Sequence, residues 1–209
     1  MTQTMIKICG LTTVEQVTAC IEMGADWLGF NCYPKSKRYI TPESIRQLLS
    51  LVPPKIKTVG VFVNEPLHSA EHVMEYTGMD FAQLHGDESS DYMKKMKSEC
   101  FKAFRVSSSF QPKIIRQYPS TYFLLDSYHP DLYGGTGDPF NWEIAEQAGS
   151  AGHLILAGGL TPDNVQNAIM AVQPFGVDVC SGVETITGVK DLNLVQRFID
   201  AVRGVTDKK

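Results

Sequence analysis

The chain has 209 residues, 43% of them hydrophobic and 20% charged, which excludes a disordered segment, a collagen-like chain or a coiled-coil rod and predicts a substantial core. Nineteen Lys and Arg against 23 Asp and Glu give a net charge of -4 with no basic stripe, so no nucleic-acid partner is expected. At about 150 residues per domain the length admits one large domain or two small ones. No long linker or Ser/Gly-rich spacer divides it, and residues 1–209 read as a single domain.

No run approaches ~18 uninterrupted apolar residues, and the first five residues are polar, so the sequence predicts no membrane span, no secretion signal and a cytoplasmic protein. The cysteines Cys9, Cys20, Cys32, Cys100 and Cys180 are odd in number, scattered and without a C-x-x-C pair. They read as reduced thiols rather than a disulfide framework or a structural zinc site.

Along the chain, short apolar or β-branched runs fall at 5–9, 26–30, 58–63, 80–84, 100–106, 121–125, 153–157 and 175–179, predicting eight strands. Helical stripes lie between most of them, such as Ile45, Leu48, Leu49 and Val52, or Val165, Ala168, Ile169 and Val172. Helix starts are marked by Thr12 with Glu15 as a capping box, and by Thr41-Pro42 and Thr161-Pro162 as an N-cap followed by proline. In 107–118, Pro112 leaves room only for a short helix, so the fifth unit is expected to be irregular. Parallel strands need crossovers of a dozen or more residues, and eight units of about 26 residues fit an α/β fold, a single-domain (β/α)8 TIM barrel irregular around helix 5. A doubly wound open sheet would carry G-x-G-x-x-G after its first strand; here Cys9-Gly10-Leu11-Thr12 follows instead.

In such a barrel the chemistry sits at the C-terminal ends of the strands, which here present Cys9, Asn31, Asn64, His85, Arg105, Asp126, Gly158-Gly159 and Ser181-Gly182. Taken singly, Cys9 also reads as a small buried hydrophobe and Asp126 as the cap of a turn. Three glycine-rich stretches, 134–137 with Gly135, 158–159 and 181–183, follow late strands. One glycine loop reads best as a tight turn, but two after strands 7 and 8 point to a phosphate site.

Arg38 lies in the loop after strand 2, where a guanidinium either grips a carboxylate through paired hydrogen bonds or belongs to a solvated basic loop. His85 either caps helix 4 or faces the ligand. His68 and His72 have metal-ligand spacing but share a face with Glu71 and Glu75, opposite Leu67, Ala70, Val73 and Met74, and are read as solvent-facing. Cys9, Cys32 and Cys180 follow strands that become neighbours on closure; with no imidazole beside them, a thiolate metal cluster is set aside.

Together, Ile6-Lys7-Ile8-Cys9-Gly10-Leu11-Thr12, Gly60-Val61-Phe62-Val63-Asn64, Gln83-Leu84-His85-Gly86, Leu125-Asp126 leading to Gly134-Gly135-Thr136-Gly137, Leu156-Ala157-Gly158-Gly159-Leu160, and Val177-Asp178-Val179 with Ser181-Gly182-Val183-Glu184 closely resemble the phosphoribosylanthranilate isomerase family of tryptophan biosynthesis, over about residues 5–203. The resemblance implies a metal-free, cofactor-free Amadori rearrangement of the small molecule N-(5-phosphoribosyl)anthranilate to 1-(2-carboxyphenylamino)-1-deoxyribulose 5-phosphate. It implies Cys9 as general base, Asp126 as general acid and Arg38 as the holder of the anthranilate carboxylate, with Gly158, Gly159, Ser181 and Gly182 in the phosphate cradle.

Three positions depart from the family pattern: Cys180 where serine is usual, Lys37 where Ser-Pro-Arg is common, and Asn141 where Phe-Asp-Trp is common. The first exchanges a hydroxyl for a thiol near the phosphate, so backbone groups are expected to carry the anion; the second is expected to loosen the loop of Arg38. Two related phosphosugar barrels, the histidine-pathway aminoaldose isomerase and indole-glycerol-phosphate synthase, use paired aspartates and a lysine-glutamate set, and Cys9 discriminates against both. A catalytically silent metabolite-binding barrel is the reading from another class, and the presence of both Cys9 and Asp126 speaks against it.

The two roles impose a condition. A thiol of pKa ~8.5 and a carboxyl of ~3.9, titrating independently, would be correctly set in about one molecule in 40,000 at neutral pH. The site must therefore move at least one ionisation, with burial of Asp126 behind the 122–125 strand as the expected means.

Overall fold

Every expected strand forms within two residues of its predicted limits. In the computed structural model, which describes residues 3–107, 109–127 and 142–205, they are β1 (Met5–Cys9), β2 (Trp27–Asn31), β3 (Lys57–Phe62), β4 (Phe81–Leu84), β5 (Cys100–Val106), β6 (Tyr122–Ser127), β7 (His153–Leu156) and β8 (Gly176–Val179). Neighbours in sequence pair in parallel, and β8 closes on β1. The helices are α1 (Val14–Met23), α2 (Pro42–Leu49), α3 (Leu67–Thr77), α4 (Ser90–Lys95), α5 (Trp142–Ala148), α6 (Val165–Val172) and α7 (Leu192–Arg203). The fifth unit carries a 3-10 helix, Pro112–Gln117, opened by its proline, as Pro112 foretold. No helix among the described residues is long and apolar enough to cross a membrane.

Local chemistry sets the helix limits, with two corrections. α1 is capped one residue later than expected: Thr13 Oγ1 accepts from Gln16 N at 3.2 Å, and Gln16 Oε1 in turn accepts from Thr12 N. Thr41-Pro42 opens α2 as expected. Thr161-Pro162, however, forms a turn, and α6 starts after Asn164, whose Oδ1 accepts from Thr161 N and whose Nδ2 donates to Gly159 O, both at 2.8 Å. Asn164 thereby ties the helix start to the glycine loop after β7.

A hairpin, β9 (Glu184–Ile186) with β10 (Val189–Lys190), follows β8. It was not expected from the sequence. Its turn holds Gly188 at φ 90, a left-handed conformation that glycine adopts without strain.

Alternation along each strand sorts side chains between the outer layer and the barrel interior. Ile6, Ile8, Leu28, Phe30, Val177 and Val179 pack outward against the helices, while Met5, Trp27, Val59, Phe101, Ala103, Leu124 and Ile155 fill the interior. Aromatic rings floor it: Trp27 stacks on Phe81 at 4.8 Å, and Tyr122 meets both edge-on. The bottom is thus apolar and sealed, and the interior positions that remain open to chemistry are those at the C-terminal mouth.

Candidate active site

The same alternation that points Met5 inward points Lys7 and Cys9 inward, and on β6 Leu124 is followed on its face by Asp126. Both site residues sit at the mouth, Cys9 8% and Asp126 4% exposed. The neighbouring strand shares the pattern: β8 is in register with β1, Lys7 against Asp178 and Ile8 against Val179. Lys7 Nζ, fully buried, binds Asp178 Oδ1 at 2.9 Å. Burial disfavours the Lys7 ammonium, but Asp178 and Cys9 outweigh it and raise its pKa above the usual lysine value. The cost falls on Asp178, whose burial, beside Cys9 and Asp126, pushes its carboxyl up to about 6.

Toward the mouth from that ion pair, the thiols of Cys9 and Cys180 interact, Cys180 as the donor. That interaction, with the cations of Lys7 and Lys190 assisting, holds Cys9 well below the usual thiol range against the opposing effect of burial. Cys180 keeps its proton as the donor and is raised accordingly. A shift of the kind that acid-base chemistry would use is thus found at the Cys9 thiol. At Cys20 and Cys32 burial dominates and pushes each up to about 12.

Cys180, which lines the recess of the two glycine loops, has its sulfur 3.7 Å from Lys190 Nζ and 3.9 Å from Glu184 Oε1. Lys190, fully buried, binds Cys180 O at 2.9 Å and Glu184 Oε1 at 2.8 Å, an arrangement built by the β9–β10 hairpin, in which Lys190 and Glu184 are register partners. The other edge of Glu184 meets Arg38: Nε to Oε1 at 2.8 Å and Nη2 to Oε2 at 2.7 Å. The paired donors of Arg38 thus grip a carboxylate, as one sequence reading of Arg38 had it, and that carboxylate belongs to Glu184 of this chain. Its loop is tied by Ser36 N to Tyr33 O, Tyr39 N to Ser36 O and Arg38 N to Ser36 Oγ, so Lys37 does not leave it loose.

His85 does not cap helix α4, whose N-cap is Ser89. Its ring, 7% exposed, stands between Gln83 and Asp126: Gln83 Nε2 is 2.7 Å from Nδ1, and Nε2 is 3.2 Å from Asp126 Oδ2, close but short of hydrogen-bond alignment. With the Gln83 amide donating, Nδ1 accepts and the imidazole proton sits on Nε2, facing Asp126. Asp126, Gly158, Gly159, Ser181 and Gly182 line one recess of roughly 300 Å³, open to solvent, together with Asp178 and Cys180. Gly158 and Gly159 adopt φ 82 and 69, and a Cβ on Gly182 would collide with Leu160 O, so both loops bring bare backbone to this recess. Gly135 and Asn141 lie outside the described residues.

Asn64 and Arg105, the other polar strand ends, belong to a rim network. Asn64, at φ 52, donates its N–H to Glu88 Oε1 at 2.6 Å, and Arg105 binds Asp87 at 2.5 Å. Buried Lys102 binds Glu88 at 3.1 Å and the carbonyls of Leu84 and Gly86. His68 and His72 are exposed, as read. Lys7, Asp178, Glu184 and Lys190 were the functional residues not singled out. Lys7 and Asp178 carried a usable signal, a charge in the middle of a strand buried on both faces. Lys190 carried none, because its position depends on the hairpin.

Residues 6–201 match the family model described as N-(5'phosphoribosyl)anthranilate (PRA) isomerase. The N-(5'-phosphoribosyl)anthranilate isomerase of Trichlorobacter lovleyi is 47% identical over 195 residues, 93% of this chain and 95% of the relative. The crystal structure of phosphoribosyl anthranilate isomerase from Thermotoga maritima superposes with a TM-score of 0.89 at 39% identity, covering 97% of this chain and 100% of the other. A further solved isomerase, in complex with reduced 1-(o-carboxyphenylamino)-1-deoxyribulose 5-phosphate, gives a TM-score of 0.87 at 37% identity over 97% of this chain and 100% of that one.

Proposed function

Since the chain belongs to the N-(5'-phosphoribosyl)anthranilate isomerase family, we propose that it performs that isomerisation, a step of tryptophan biosynthesis, with Cys9 as general base and Asp126 as general acid. Asp126 donates a proton to the ribose ring oxygen, and the ring opens to an iminium. The Cys9 thiolate then removes the proton at C2, and the resulting enolamine tautomerises to the aminoketone. The order suits the charges: the iminium makes C2 acidic only after the acid has acted, and a low thiol pKa keeps the base ready at neutral pH.

The remaining roles follow from position. His85, with Nε2 3.2 Å from Asp126 Oδ2, stands where it can orient the Asp126 carboxyl. Lys7 and Cys180 hold the thiolate. Backbone N–H groups of Gly158, Gly159, Ser181 and Gly182 receive the phosphate, and Arg38 orients the anthranilate carboxylate. One barrel domain, residues 1–209, carries the activity. A base that must remain a free thiol is suited to the reducing cytoplasm, where we place the protein.

The observation that carries this reading is the convergence on one mouth of an easily ionised thiol and a buried carboxyl, beside two glycine loops. Supplying phosphoribosylanthranilate, generated in place because it is labile, and following the loss of its fluorescence tests it. Decay far above the uncatalysed rate is expected; decay at the uncatalysed rate rejects the assignment.

A further inference from the structure

β1 and β8 run in register, and their residues of equal rank point the same way: the rung of Lys7 and Asp178 makes a 2.9 Å ion pair inside the barrel. The pleat repeats every two residues, so Cys9 faces the same side as Lys7, and Cys180, the residue that follows β8, comes beside it, where the two thiols interact. Neighbouring strands stand about 4.8 Å apart. That separation lies within the roughly 4.4–6.8 Å between Cα atoms that a disulfide bridges. Gly10 makes the approach possible, since a Cβ there would stand 3.0 Å from Cys180 Sγ and 2.7 Å from Arg38 Cδ.

Access and reactivity agree with the geometry. Cys180 lines the recess that opens to solvent at the mouth, wide enough for a molecule as small as a peroxide. Lys7, Lys190 and Arg38 surround the pair with positive charge, favouring thiolate at this pair over the isolated thiols of Cys20 and Cys32.

We propose that Cys9 and Cys180 form an oxidative modification site, at which a peroxide converts the pair to an intramolecular disulfide that reversibly silences the enzyme. The Cys9 thiolate attacks one oxygen of hydrogen peroxide; an S–O bond forms, the O–O bond breaks, and hydroxide leaves. The Cys180 sulfur then attacks the Cys9 sulfenic acid; an S–S bond forms, the S–O bond breaks, and the Cys180 proton leaves with the hydroxyl as water. The two sulfurs supply the two electrons that reduce the peroxide. Thiol exchange reverses the bond. The disulfide itself depends only on the pairing of the two thiols, whereas the loss of activity rests on Cys9 being the base.

The test treats the full-length enzyme with hydrogen peroxide, blocks remaining thiols with iodoacetamide, and maps the digest by mass spectrometry beside an activity assay. The expected result is a Cys9–Cys180 linked peptide, lighter by two hydrogens than its parts, with activity lost in step and restored by dithiothreitol. In Cys180→Ser, judged against its own untreated rate, Cys9 has no resolving partner, proceeds to sulfinic acid, and inactivation resists dithiothreitol. Cys9 and Cys180 both alkylated after treatment, Cys9 overoxidised in the wild type without a cross-link, or a cross-link to Cys32 would overturn the proposal. A Cys9–Cys180 disulfide in a protein that keeps its activity would uphold the modification site and remove Cys9 from the mechanism.

Discussion

Lys7 Nζ lies 2.9 Å from Asp178 Oδ1 inside the barrel, two residues below the proposed base on its own strand. Removing one partner of a buried pair leaves the other charge stranded, so Lys7→Met is expected to cost about 3–5 kcal/mol in urea unfolding, and Lys7→Met with Asp178→Leu to recover most of it without recovering activity. Asp178 gives the pair a pH signature. Its folded pKa of about 6 exceeds the 3.8 of the free group, so in that window the folded state holds a proton that the unfolded state has lost. Its contribution is therefore full below 3.8 and is lost as pH rises through about 6. Thermal unfolding of Asp178→Asn across this window should lack that fall relative to wild type; parallel curves would contradict the assignment.

Cys180 sets the ionisation of Cys9. A base works only when deprotonated, so catalytic efficiency should fall as pH drops through the lowered Cys9 value. Cys180→Ala removes the donor and raises that value, moving the acidic limb of the kcat/KM profile to higher pH, while Cys180→Ser, which keeps a donor, should move it less. An unmoved limb in Cys180→Ala would show that the lysines alone stabilise the thiolate.

Arg38 grips Glu184 before any substrate arrives. If Arg38 also holds the anthranilate carboxylate, losing that charge-assisted contact costs about 2–4 kcal/mol of binding, so Arg38→Ala should lower kcat/KM by roughly 30- to 1,000-fold. Lys190 still holds Glu184, so the fold should survive, as circular dichroism would show. Wild-type kinetics in Arg38→Ala would mean that the anthranilate carboxylate is held elsewhere.

Barrel, strand order and the placement of Cys9 and Asp126 at strand ends were legible in the sequence because they depend on local pattern, whereas the roles proposed for the two came from the family resemblance. Strands such as 5–9 declare themselves by apolar runs, and position at a strand end is enough to nominate Cys9 and Asp126. The electrostatic setting was not legible. The Cys9–Cys180 contact depends on the register of β1 against β8, 171 residues apart, and Arg38 finds Glu184 only because a short hairpin folds back over the mouth. The expected Thr161 cap failed for a local reason, since Asn164 supplies a side-chain acceptor three residues on.

The phosphate cradle is tested at Ser181 rather than at its glycines. Any side chain on Gly182 would strike Leu160 O, so a variant there reports on folding as much as on binding. Ser181→Asp sets a carboxylate at the recess and should raise KM at least ~10-fold, the equivalent of about 1.4 kcal/mol of repulsion, and abolish competition by inorganic phosphate. Unchanged phosphate inhibition would place the cradle elsewhere.

The central claim, that Cys9 is the base and Asp126 the acid, is tested most directly by the rate of fluorescence loss from phosphoribosylanthranilate in Cys9→Ser and Asp126→Asn. A positioned acid or base contributes about 10²–10⁴-fold, so each variant should lose at least ~100-fold in kcat/KM while unfolding at wild-type temperature. Near-normal turnover by either variant would remove that residue from the mechanism and contradict the account.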